Sequence, residues 1–165
     1  MGTDPVFPAA ELAQRLANVQ GALARGDLDA LVVSVPENIY YLTGLDHWGF
    51  FACHLLIVPQ QGTMTLICRA MEGITVANQV TNARFIGHGD GEDPGQVAAA
   101  ALAELGLATG KLGLEKRSLF LTAAIAESLQ GRTARAQWTD ASGLVDGLRQ
   151  CKSPLEMAYT RRAAQ

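Results

Sequence analysis

Leu31-Val32-Val33-Ser34-Val35, stopped by Pro36, presents apolar side chains on both of its faces. A strand apolar on both faces is buried on both, and proline ends it because it has no N–H for the ladder. Such a strand belongs in a sheet covered by helices, which points to an α/β class. Just upstream, Leu12, Leu16, Val19 and Leu23 recur at i, i+4, i+7 and i+11. That is the apolar stripe of an amphipathic helix, with Gly26 placed to close it.

Further along, Phe51 to Val58 is an apolar run, Pro59-Gln60-Gln61-Gly62 a turn, and Thr63 to Cys68 an alternating segment, together predicting a β-hairpin. Met71 to Val80 reads as helix and Arg84-Phe85-Ile86 as a short strand. Asp93-Pro94-Gly95-Gln96 predicts a capping box opening a helix to Leu105, with Gly106 closing it. Lys111 to Glu115 predicts a strand, Ser118 to Gln130 a helix, Arg135 to Trp138 a last strand, and Asp140 the cap of a short helix reaching Arg149. The expected fold class is α/β, a mixed sheet of about six strands with one antiparallel hairpin and helices on both faces.

Composition narrows the function. A net charge of −3 over 165 residues, without a Lys/Arg stripe, argues against a nucleic-acid surface. The longest apolar runs fall far short of the ~20 residues a membrane helix needs, and the first residues lack the pattern of a secretory signal. Cys53, Cys68 and Cys151 form an odd set without C-x-x-C spacing, as expected of free thiols in a cytoplasmic protein.

Residues 87–93, Gly-His-Gly-Asp-Gly-Glu-Asp, follow a strand and precede a capped helix, where a dinucleotide fingerprint would sit. The third glycine position is Glu92, and the carboxylates would repel a pyrophosphate, so the segment reads as an acidic connection. His47 and His54 lack the H-E-x-x-H spacing of a zinc helix; His54, in an apolar run, reads as a satisfied core or edge histidine. The stretch from Tyr40 to Phe51 concentrates aromatic and titratable groups, and two glycines, Gly44 and Gly49, flank its tip. Tyr40, Tyr41 and Phe51 read as core or interface packing; for Asp46, His47 and Trp48, binding and packing stand level.

Three stretches then resemble one family, the creatinase/prolidase group of pita-bread hydrolases. They are Leu28–Ser34 continuing through Asn38-Ile39-Tyr40-Tyr41-Leu42-Thr43-Gly44, the hairpin Leu55–Cys68, and Leu144 to Glu156 with Arg161-Arg162-Ala163-Ala164. The last is similar to the family's junction between its two domains. The resemblance implies an N-terminal domain over residues 9–150, preceded by a disordered or expression-derived leader at 1–8. It also implies that 151–165 is the junction and the first turns of a catalytic domain.

Peptidase members of the family bind two divalent metals (Mn, Co or Zn) through two Asp, one His and two Glu. None of those positions matches a residue here, so no metal, cofactor or catalytic residue is expected in this segment, which alone should be inactive. The implied partners are the chain's own catalytic domain and a second copy in a homodimer, with no nucleic acid or membrane. The implied role of Asp46, His47, Trp48 and Phe50 is a loop that shapes the substrate pocket of an Xaa-Pro dipeptidase, aminopeptidase or related C–N hydrolase. The alternative is a stand-alone small-molecule-binding or dimerisation module.

Ser153-Pro154-Leu155-Glu156 bears on that choice. It combines an N-cap serine, proline at the first helical position and glutamate at the third. The helix it opens carries Leu155, Tyr159 and Ala163 as a short apolar stripe, expected to need a cover from elsewhere.

Overall fold

The computed structural model describes residues 6–165. Its helices are α1 (Ala9–Arg25), α2 (Pro36–Thr43), α3 (Gly73–Gln79), α4 (Pro94–Glu104), α5 (Ala123–Arg132), α6 (Leu144–Gln150) and α7 (Pro154–Ala163). Its strands are β1 (Ala30–Val33), β2 (Leu55–Pro59), β3 (Met64–Arg69), β4 (Ala83–His88), β5 (Lys111–Leu114) and β6 (Gln137–Asp140). Trp48–Phe51 and Ala70–Glu72 are single 3-10 turns.

The strands form one sheet in the order β4-β3-β2-β1-β5-β6. β2 runs antiparallel to both of its neighbours, and the other adjacent pairs are parallel. The expected mixed sheet with its hairpin is therefore present. Val32 lies opposite Ile57 on one side and Leu114 on the other, which makes β1 a central strand and explains its two apolar faces.

Those faces build two cores. Leu31, Leu56 and Leu66 meet Leu23 of α1, Leu42 of α2, Val76 of α3 and Val145 of α6. Val32, Ile57 and Ile67 meet Leu102 of α4 and Leu129 of α5. Each fully buried Leu, Ile or Val contributes roughly 1.5–3 kcal/mol relative to exposure, so both layers are needed to hold the sheet.

Several boundaries differ from expectation, each with a local cause. Phe51 lies in a 3-10 turn and β2 begins only at Leu55. The helix expected from Ser118 begins at Ala123, capped by the Thr122 hydroxyl accepting from Ile125 N at 3.3 Å. Ser118 instead donates to the Ser34 carbonyl at 2.8 Å, which draws its segment over the end of β1. Asp140 ends the last strand rather than capping a helix, and its Oδ1 accepts from Ser142 N at 2.9 Å. Asp93 caps α4 by accepting from Gly95 N at 2.8 Å, but its second oxygen takes the Ser128 hydroxyl rather than entering a reciprocal box with Gln96.

The leader expected at residues 1–8 lies outside the described residues over 1–5. Within its remainder Phe7 is only 6% exposed and packs on Tyr40 with ring centroids 5.2 Å apart. No helix among the described residues is long and apolar enough to cross a membrane.

Candidate functional site

The loop leaving α2 turns at Gly44, whose φ of 75° lies in the left-handed region that an L side chain disfavours. Gln79 of α3 then clamps the backbone of Asp46: its Oε1 accepts from Asp46 N at 2.7 Å and its Nε2 donates to Asp46 O at 3.0 Å. The Asp46 side chain is left exposed.

His47 points the other way, into the protein. Its Nε2 is 3.0 Å from His54 Nε2, and its Nδ1 lies 3.1 Å from Glu72 Oε2 and 3.0 Å from Gly49 N. His54 Nδ1 lies 2.8 Å from the Ala52 carbonyl, which can only accept, so that nitrogen carries the proton. Burial lowers the pKa of His54, with the Ala52 bond opposing. The ring is therefore neutral, and its Nε2 accepts from His47.

Above this pair rises an exposed aromatic tip. Trp48 is 85% exposed and stacks on Phe50 with centroids 6.4 Å apart, while Phe50 meets Phe120 edge-on at 5.8 Å. Phe51, at 65% exposure, is not core, whereas Tyr41 is buried as expected. A cavity of about 240 Å³ opens beside the tip, lined by Glu37, Tyr40, Asp46, His47, Phe50 and His54 among others. The structure thus brings Asp46, His47 and Phe50 to one cavity, while Trp48 is exposed and reaches it only through its stacking on Phe50. The supports Glu72, Gln79 and Phe120 were not legible, because nothing in their spacing links them to the loop; His54 was read as buried, but not as the partner of His47.

A second polar cluster lies at the carboxyl ends of β1 and β5. Buried Glu115 accepts from Ser34 N at 2.9 Å, Val35 N at 3.0 Å and Asn38 Nδ2 at 2.7 Å. Asn38 Oδ1 in turn accepts from Arg149 Nη1 at 2.7 Å. Burial pushes the Glu115 carboxyl above its ordinary range, with the donors from Val35, Ser34 and Asn38 pulling it back. The start of α2 is where an α/β sheet would present N–H groups to a phosphate, and here the chain's own carboxylate occupies it. That weighs against nucleotide binding at this position.

The acidic segment at 87–93 is tied to β3 by Arg69 Nε donating to Asp90 at 2.9 Å, and internally by Gly89 N donating to Glu92 at 2.5 Å. Among the described residues no group of three or more His, Cys, Asp or Glu could hold a metal ion.

A six-stranded mixed sheet with covering helices is the fold this chain shares with creatinase/prolidase-type enzymes. The chain belongs to the creatinase/prolidase family: the family's sequence model, Creatinase/Prolidase N-terminal domain, matches residues 15–151. It is similar to an uncharacterised hydrolase/peptidase, y4tM, of Sinorhizobium fredii, at 31% identity over 95% of this chain and 42% of that protein. Its identity to the ectoine hydrolase of Halomonas elongata is 27%, over 96% of this chain and 42% of the relative. The crystal structure of a recombinant prolidase from Thermococcus sibiricus shares the fold, with TM-score 0.77 and 19% identity over 92% of this chain and 40% of that one. The chain therefore spans 42% of the length of these two sequence relatives.

Proposed function

We propose that these residues form the non-catalytic N-terminal domain of a C–N bond hydrolase of the Xaa-Pro dipeptidase, aminopeptidase or related type. In this reading a catalytic domain follows α7, the protein is a cytoplasmic homodimer, and the tip around Trp48 closes a substrate pocket. The observation that carries it is the pairing of an 85% exposed Trp48 with a cavity lined by Asp46, His47 and Phe50. A large aromatic left in solvent on an anchored loop suits a surface that is covered in the working protein. Trp48 and Phe50 would exclude water, which strengthens the electrostatics of the closed site, while Asp46 or His47 meets the polar end of the substrate.

Two divalent ions such as Mn, Co or Zn belong to the catalytic domain of this reading. There they would activate water and polarise the scissile carbonyl. None of their ligands is assigned to residues 1–165.

A self-contained module is favoured by one observation, the docking of α7 on its own chain through Glu156 and Arg15 and through Tyr159 against Phe7.

The test is Trp48→Ala in the full-length enzyme, with peptides carrying proline after the scissile bond and with acylated amines as substrates. A fall of at least about tenfold in kcat/KM, equal to about 1.4 kcal/mol of transition-state binding, is expected for the true substrate class. An unchanged kcat/KM for every class refutes the loop's role. Turnover by the clean 165-residue chain with added Mn, Co or Zn refutes its non-catalytic assignment.

A further inference from the structure

The nitrogen His47 Nδ1 has two partners that require opposite protonation states. Gly49 N–H, 3.0 Å away, can only donate to it, and this bond caps the Trp48–Phe51 turn. The Glu72 carboxylate, 3.1 Å away, is an acceptor when ionised and attracts that nitrogen only if it carries a proton. His47 Nε2 is already committed as donor to His54 Nε2, because His54 spends its own proton on Ala52 O. The choice at Nδ1 is therefore the one degree of freedom left in the Glu72–His47–His54 chain.

We propose that His47 is a proton-gated cap for the aromatic tip. As neutral imidazole it accepts the Gly49 N–H and holds Trp48 and Phe50 in the turn. As imidazolium it donates to Glu72, the Gly49 bond is lost, and the tip is released. The step adds one proton from solvent to Nδ1 and breaks no covalent bond.

The surroundings suit a switch. The His47 and Glu72 side chains are 9% and 14% exposed, so their interaction is only partly screened by water. Gly49 sits so close that a Cβ there would clash with Glu72 Oε1 and His47 Cε1, which couples any movement of the pair to the turn. The other titratable groups facing the chain are few. His88, at the end of β4, acts on His54. Cys68 of β3 faces Glu72, and burial pushes its thiol up to about 12, so it carries no charge. From α2, Glu37 lines the same cavity, beside the neighbouring Asp46.

The effect on catalysis rests on the proposed function; the cap itself does not, and the 165-residue chain tests it directly. Amide exchange of Gly49, corrected for intrinsic rate, is measured by NMR between about pH 8 and about pH 5, the span in which histidines change charge. Protection is expected to fall about tenfold toward the acid end, as for loss of one hydrogen bond, and the Trp48 indole resonance should move with it. His47→Asn supplies a side-chain oxygen that caps in a single protonation state, so its Gly49 protection should be independent of pH. Glu72→Gln should leave more of the tip capped in acid. Constant Gly49 protection in the native sequence, or a pH dependence that survives in His47→Asn, overturns the proposal. A failure of Trp48→Ala to alter kcat/KM would instead count against the proposed function, leaving the cap intact.

Discussion

Glu156 Oε1 lies 3.4 Å from Arg15 Nη2 while its Oε2 accepts from Ser153 N at 2.9 Å. One carboxylate thus completes the capping box of α7 and ties that helix to α1. Arg15 is held between the rings of Phe7 and Tyr41, 4.0 and 4.3 Å from their centroids, and donates to the Tyr41 carbonyl at 2.9 Å. α7 is thereby docked on its own chain.

Removing this tie should loosen α7 more than the sheet. Glu156→Ala is expected to cost about 1 kcal/mol as a lost cap and to speed tryptic cleavage after Lys152. Arg15→Met strips the partner from two carboxylates, Glu11 and Glu156, and should cost about 2–3 kcal/mol in urea unfolding. Equal stability and equal cleavage in both variants would show that the docking contributes nothing.

Glu115 supports the end of β1 through two backbone N–H groups and Asn38. Glu115→Ala leaves those donors buried without partners and should cost about 3 kcal/mol at neutral pH. The pH dependence has a definite sign. Burial raises the carboxyl in the folded state, so between its unfolded and folded values the unfolded chain holds fewer protons. Stability from this group is present in acid and is lost as pH rises through the folded value. Urea unfolding across acid pH should show that fall in the native chain and not in Glu115→Gln.

His54 acts in the opposite direction. Its folded-state pKa is lowered by burial, so the unfolded chain takes up the proton first as pH falls below the ordinary histidine value. Stability should therefore decline with acidification from about pH 6.5 downward until the folded value is reached. In His54→Phe this slope should disappear, which thermal unfolding at several pH values would reveal.

Gly49→Ala places a methyl where Glu72 and His47 already sit. Moving them should cost about 1–2 kcal/mol and break the Glu72–His47–His54 chain, visible as altered imidazole nitrogen shifts. A variant with native stability and native shifts would contradict the tight contact.

Much of the architecture was legible. The two-faced apolar run of β1, the β2–β3 hairpin and the Ser153 capping box all follow from side-chain period and cap chemistry, which act over a few residues. The errors fell where a distant partner outcompeted local propensity, as when Ser118 turned to the Ser34 carbonyl 84 residues away. The candidate loop was visible as a cluster of aromatics and titratable groups. Its supports were not, because Gln79 lies 33 residues from Asp46 and nothing in the spacing connects them.

Apolar periodicity, proline, glycine and capping side chains indicated most of the strands and helices, since those preferences are local, while three quoted stretches carried the family resemblance. The strand order, with β1 between β2 and β5, came only with folding. So did the meeting of Glu115 with Asn38 across 77 residues and of Glu72 with His47, His54 and Gly49 beneath the aromatic tip. Those contacts depend on where the two apolar faces of the sheet bring remote loops together. Hydrophobic burial is non-directional and leaves no short-range mark of which loop will face which.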